Sequence, residues 1–253
     1  MLTRQSGPML SMALFPDSIK ADLRGGGRGR PSRQIRGVNS YQEELEESYA
    51  DWADEISEAL AKETDAENQK KIIDEKLALL LILLIGLGRR RIPDALELGM
   101  DDEPPTPEAL RKLAEILESN ERFLTDSLIP AIRQKLENAF ADTDIILAIQ
   151  MGEGDEVIRA VLQTLHARVA SYAGPWWIAW NWGSGFVAGQ MGKKIVAHLD
   201  PTAQHCEECP EFQAEGGRIY NSWAEYLMTT GGRTPGQFKC KGNCRCWILP
   251  VED

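Results

Sequence analysis

The stretch Leu77–Gly88, "LALLLILLIGLG", decides how the chain is read. Its twelve residues lie between Lys76 and Arg89. Wound as a helix, they would reach about 18 Å at 1.5 Å per residue, against a hydrocarbon core of roughly 30 Å. No membrane span is expected. The stretch reads instead as a helix buried in a protein core or docked on a partner subunit.

Helical patterning continues on both sides. Upstream, "SYQEELEESYADWADEISEALAKE" (Ser40–Glu63) carries Leu45, Tyr49, Trp52, Ile56 and Leu60 at spacings of three and four, with an acidic opposite face. The apolar stretch belongs to a second helix, about 66–87, and Arg89–Arg91 suit its C-terminal end. "RRRIPDALELGMDDEPPTPEAL" (Arg89–Leu110) reads as a polar, proline-rich connection. Thr106 followed by Pro107 marks the next helix start. Further helices are expected at about 107–119, 121–141 and 153–173, with Pro130 kinking or splitting the middle one.

After Gly174 the composition changes. "GPWWIAWNWGSGFVAG" places four of the seven tryptophans between Trp176 and Trp182. It reads as a Trp/Gly-rich connector over 174–192, its indoles serving either a core or an interface. Short strands are expected in Lys193–Leu199, Gly217–Tyr220 and Cys244–Val251. Ser222 and Glu225 would form a capping box between the last two.

Charge is unevenly spread. The chain has 28 basic and 39 acidic residues, net −11. Residues 1–40 carry seven basic side chains against Asp17 and Asp22, about +5, which leaves about −16 for the rest. The Gly/Arg-rich piece Arg24–Gly37 cannot bury apolar surface, so 1–39 reads as an extended basic arm. Arg24, Arg28, Arg30, Arg33 and Arg36 are its candidate contacts, with nucleic acid or an acidic protein surface. A solvated tail is the plainer alternative. Met1–Lys20 lacks an unbroken apolar core, so no secretory signal is expected and a reducing compartment is the default.

All five cysteines lie in the last fifty residues: Cys206, Cys209, Cys240, Cys244 and Cys246. The spacing is C-x2-C, thirty residues, then C-x3-C-x-C. Two thiolate pairs brought together by intervening strands can supply a tetrahedral site for Zn2+. Four of the five would ligate, with one cysteine or His205 spare. A segment of about sixty residues has a thin core and commonly needs such a staple. Lys239, Lys241 and Arg245 would offset the charge of a four-thiolate centre. Disulfides and inert buried thiols are the alternatives. Catalytic zinc is disfavoured, because so many thiolates would close the site. The fold class expected is mainly α: an elongated helical body (40–173) with the basic arm and a small zinc-stapled α+β module (193–253).

Other motifs carry little. "GSGFVA" (Gly183–Ala188) fits a dinucleotide fingerprint in spacing, but no crossed parallel sheet follows. "GQMGKK" lacks the spacing and the hydroxyl residue of a phosphate loop. His166 and His198 read as structural, and no nucleophile elbow or H-E-x-x-H is present.

The stretch from Val196 to Val251 resembles the C-terminal signature of tailed-bacteriophage minor head proteins, the Mu-type head-morphogenesis family. Asp200, Cys206, Cys209, Pro235, Asn243, Cys244, Arg245 and Cys246 match that pattern. Lys241 stands where many members carry His, with Cys240 beside it. The resemblance covers about 190–253, and the family's upstream Arg-Thr-Glu motif is absent. It implies a non-enzymatic, capsid-associated protein in the phage head, touching the portal or major capsid protein and acting in assembly, packaging or delivery. The basic arm would then lie on packaged DNA or on an acidic coat surface. Two rival readings are a nucleic-acid-binding zinc module and a metal-dependent nuclease using Asp200, Glu207, Glu208 and Glu211.

Overall fold

The computed structural model describes residues 30–170, 174–199, 206–214, 216–239 and 246–251. It is mainly helical with one small sheet.

Helix α1 spans Arg30–Ala61. Tyr41, Leu45, Tyr49, Trp52, Ile56 and Leu60 form its buried seam, while Asp51, Asp54, Glu55 and Glu58 face outward. Residues 30–39, expected to belong to an extended arm, are therefore helical, and residues 1–29 lie outside the described residues. Pro31 falls in the first turn, where a proline costs no helix hydrogen bond. Gly37 lies within the helix and faces Trp176: a Cβ there would sit 2.5 Å from the indole Cζ2.

Helix α2, Ala66–Gly99, starts at Asp65, whose carboxylate accepts from the Glu67 and Asn68 amides at 3.0 and 2.9 Å. Ile73, Leu77, Leu80, Leu84 and Leu87 form its buried face. The connection expected from Arg89 is shortened to residues 100–106, because the helix continues through Pro93 to Gly99. An interior proline costs roughly 3 kcal/mol. Burial of Ile92 just before it and of Ala95 and Leu96 beyond it offsets that cost. Met100 caps the helix, and the chain then turns through left-handed conformations at Asp101 and Asp102.

Helix α3 (Pro107–Phe123) is capped by Thr106. It passes through a π-helical turn at Leu124–Leu128 into α4 (Ile129–Phe140). The expected kink at Pro130 thus takes the form of one widened turn just before a residue with no N–H to give. Helix α5 (Thr143–Gln150), which sequence reading missed, begins at an Asp142 cap. Helix α6 (Gly154–Ala170) packs on α1, and the Tyr49 hydroxyl donates to the Leu162 carbonyl at 2.9 Å.

The largest correction concerns 174–192. It is no connector: Gly174–Gln190 is helix α7, buried on nearly every side and packed along α2. A helix apolar all round belongs in a core. At the α2–α7 crossing the two backbones touch. A Cβ on Gly99 would lie 2.3 Å from the Trp180 carbonyl oxygen, and one on Gly183 would lie 2.7 Å from that of Leu96.

The sheet has order β2–β1–β3, antiparallel throughout, with β1 Ile195–His198, β2 Arg218–Tyr220 and β3 Trp247–Pro250. All three strands fall inside the segments expected from sequence. Helix α8 (Cys209–Phe212) is a single turn, and α9 (Trp223–Thr230) carries the expected cap: Ser222 Oγ accepts from the Glu225 amide at 3.1 Å. The Glu225 carboxylate reaches back one residue further than a capping box does, to the Asn221 amide at 2.7 Å.

Strand β3 is fastened to α7. Asn181 Oδ1 accepts from the Ile248 amide at 2.9 Å, and Ser184 Oγ donates to the Ile248 carbonyl at 3.2 Å. Ile195, Ala197, Tyr220, Trp223, Tyr226 and Ile248 join the same core as the helices. The C-terminal segment is therefore built onto the helical body, which changes what a metal is needed for.

Candidate metal centre

Beyond that shared core lies one small separate cluster: Leu199, Cys209, Phe238 and Cys246 are buried together, with Cys206 and Phe212 packed against them. This brings the C-x2-C pair to the last cysteine of the chain, across about forty residues of sequence. Cys240, Cys244 and His205 lie outside the described residues.

The C-x2-C segment is a tight turn running into α8, with the Cys209 amide donating to the Cys206 carbonyl at 3.3 Å. The two Sγ atoms stand 3.4 Å apart. A disulfide requires about 2.0 Å. Thiolates around zinc at about 2.3 Å would have sulfurs roughly 3.8 Å apart. The pair is thus close to the spacing of two ligands on one ion. Among the described residues no set of three or more His, Cys, Asp or Glu is arranged to hold a metal.

Cys246 is held from the other side. Trp177 Nε1 on α7 donates to its carbonyl at 2.6 Å, and Asn181 Nδ2 donates to the Trp177 carbonyl at 2.9 Å. Trp247, the next residue, stacks on His198 with ring centres 5.1 Å apart. One face of the Trp-rich helix therefore positions a candidate ligand.

A polar clasp joins the two cysteine-bearing loops. Glu208, inside the C-x2-C turn, accepts from Arg233 Nη1 at 3.1 and 3.2 Å and from the Lys239 amide at 2.9 Å. The Lys239 amide bond and the Arg233 guanidinium hold the Glu208 carboxyl below its ordinary range. Arg233 also lies over Phe238 at 5.3 Å and Phe212 at 6.0 Å, and those two rings stack at 5.3 Å. The exposed Lys239–Glu207 pair at 3.5 Å adds little. Gly236, with φ 95°, lets the loop approach α7: a Cβ there would lie 2.5 Å from Ile178 Cγ1.

Lys239 and Cys246, the two residues that flank 240–245, are thus both placed beside the Cys206–Cys209 turn. Glu208 is engaged within the chain, contrary to its reading as an available carboxylate for metal-dependent hydrolysis. Sequence reasoning missed Arg233 and Trp177, because neither lies near a cysteine in sequence. Arg24 and Arg28 lie outside the described residues. Arg30, Arg33 and Arg36 lie on the first turns of α1, not on an extended arm.

Replacing Glu208 with alanine should loosen the clasp without unfolding the body. Amide exchange at Lys239 should become several-fold faster, with melting of the helical core unchanged. Unchanged exchange at Lys239 would show that the Phe212–Phe238–Arg233 stack alone holds the loop.

Comparison with protein-family models, with curated proteins and with solved structures finds no match.

Proposed function

We propose that the chain is a non-enzymatic structural protein of a tailed-phage head, with its outer C-terminal loops stapled by one structural Zn2+. The observation that carries the zinc reading is the meeting of the C-x2-C turn with Cys246 in one small buried cluster. Cys206 and Cys209 would supply two thiolates, and Cys240 with Cys244 or Cys246 the other two. Such a set leaves no open position, so the metal would supply rigidity rather than reactivity.

The shared core narrows the zinc's task. Sheet and α9 are already anchored on α7, so the staple would fix only the loops around the small cluster. This keeps a rigid outer lobe on a helical body, which suits a protein that must hold position between larger neighbours.

The head assignment rests on the resemblance over about 190–253. In that setting the portal or major capsid protein is the expected neighbour. The basic N-terminal segment, including Arg24, Arg28, Arg30, Arg33 and Arg36, would meet packaged DNA or an acidic coat surface.

Two measurements test the parts separately. Elemental analysis of the full chain, purified under reducing conditions, should give about one Zn2+ per chain; none would remove the metal reading. Mass spectrometry of purified particles of the encoding phage should find the chain in DNA-filled heads. Its absence from particles would remove the head reading.

A further inference from the structure

The apolar stretch of α2 has a second face, which the core does not use. Leu79, Ile82 and Leu83 are 56, 68 and 40 % exposed, and a Cβ on Gly86 would meet nothing within 4 Å. Their spacing of three and four makes one stripe along the helix. Apolar side chains in a contiguous exposed row mark an interaction surface.

The charges at the two ends of the stripe identify the occupant. Glu75 lies as far before the midpoint between Ile82 and Leu83 as Arg90 lies beyond it. Both are exposed, and neither is ion-paired to a described residue. Exposed Lys71 and Asp94 are likewise equidistant from that midpoint, and Asp94 has only a 3.6 Å contact with Arg91. A second α2 laid antiparallel across a two-fold axis at that point brings Glu75 level with Arg90 and Lys71 level with Asp94, twice over. It also sets Leu79 against the open notch at Gly86. A parallel pairing would put like charges together.

We infer that this face of α2 binds a second copy of the chain, antiparallel, about a two-fold axis between Ile82 and Leu83. The interface is isologous, so every favourable pair occurs twice. The helices would adjoin over Lys71–Asp94, about 35 Å. This goes beyond the proposed head role and does not depend on it.

Sedimentation equilibrium of the full chain across micromolar concentrations tests it. The wild-type chain should dimerise. Ile82→Glu, at an exposed position, should raise the dimer Kd by about tenfold or more while leaving circular dichroism unchanged. Glu75→Arg and Arg90→Glu should each weaken the dimer, and the double variant should restore it, since both copies then carry the swapped pair. A chain that stays monomeric would overturn the inference. So would a dimer indifferent to Ile82→Glu, or a double variant no tighter than the singles. Hydrogen exchange showing the stripe protected in a monomer would assign it to another segment of the same chain.

Discussion

The Cys209→Ser chain should come off purification with essentially no zinc, and its outer lobe should be cut by protease while the helical body stays intact. Cys209 is fully buried, at the meeting point of the two loops. Structural zinc held by thiolates contributes on the order of 10 kcal/mol to the unit that depends on it. The small cluster has four buried residues and no apolar resource of that size. Limited proteolysis should therefore open the segments around 206–214 and 231–239. The main melting transition should move little, because the sheet shares the body's core. Phe238→Leu is the matched control: it thins the same cluster without touching a thiolate and should keep its zinc. A wild-type chain that is metal-free yet protease-resistant in this lobe would contradict the expectation.

Gly183→Val should produce the largest loss of global stability, about 3 kcal/mol or more. The first added carbon would fall 2.7 Å from the Leu96 carbonyl oxygen and 3.1 Å from the Met100 nitrogen. Both are backbone atoms inside or capping α2, so no side chain can swing away. Either α7 moves off α2 or the crossing unravels. For a chain of this size, 3 kcal/mol corresponds to a fall in Tm of roughly 6–12 °C, measurable by calorimetry. A change under about 2 °C would mean that the two helices do not touch backbone to backbone at this point.

The parts of the fold that were legible are those written in local patterns. The α1 seam from Leu45 to Leu60, the Ser222 cap and the three strand segments each follow from residues a few positions apart. Helix α7 was not legible for a physical reason. Its apolar residues cover the whole circumference, so no 3.6-residue period appears, and Gly183, Gly185 and Gly189 resemble breaks. Those glycines make sense only opposite their neighbours: Gly183 against α2, Gly185 and Gly189 against Trp223. Pro93 misled in the same way, since the burial that carries α2 through it comes from another helix.

The candidate site divides along the same line. Cysteine spacing pointed to thiolates converging on one ion; Cys209 and Cys246 share one cluster with Cys206 packed against it, but among the described residues no set of three is arranged to hold a metal. The clasp was hidden, because a glutamate beside cysteines looks solvent-facing until Arg233 and the Lys239 amide are placed next to it.

The Asn181 and Ser184 contacts to Ile248 also govern how this protein can be extended by others. They occupy the outward amide and carbonyl of the last strand, so that border cannot template a foreign strand. Growth of the sheet is confined to the opposite border, where β2 is three residues long and begins with an arginine. A neighbour that meets the β3 border must then grip it by side chains, and a sheet with one border closed in this way resists open-ended stacking into fibres.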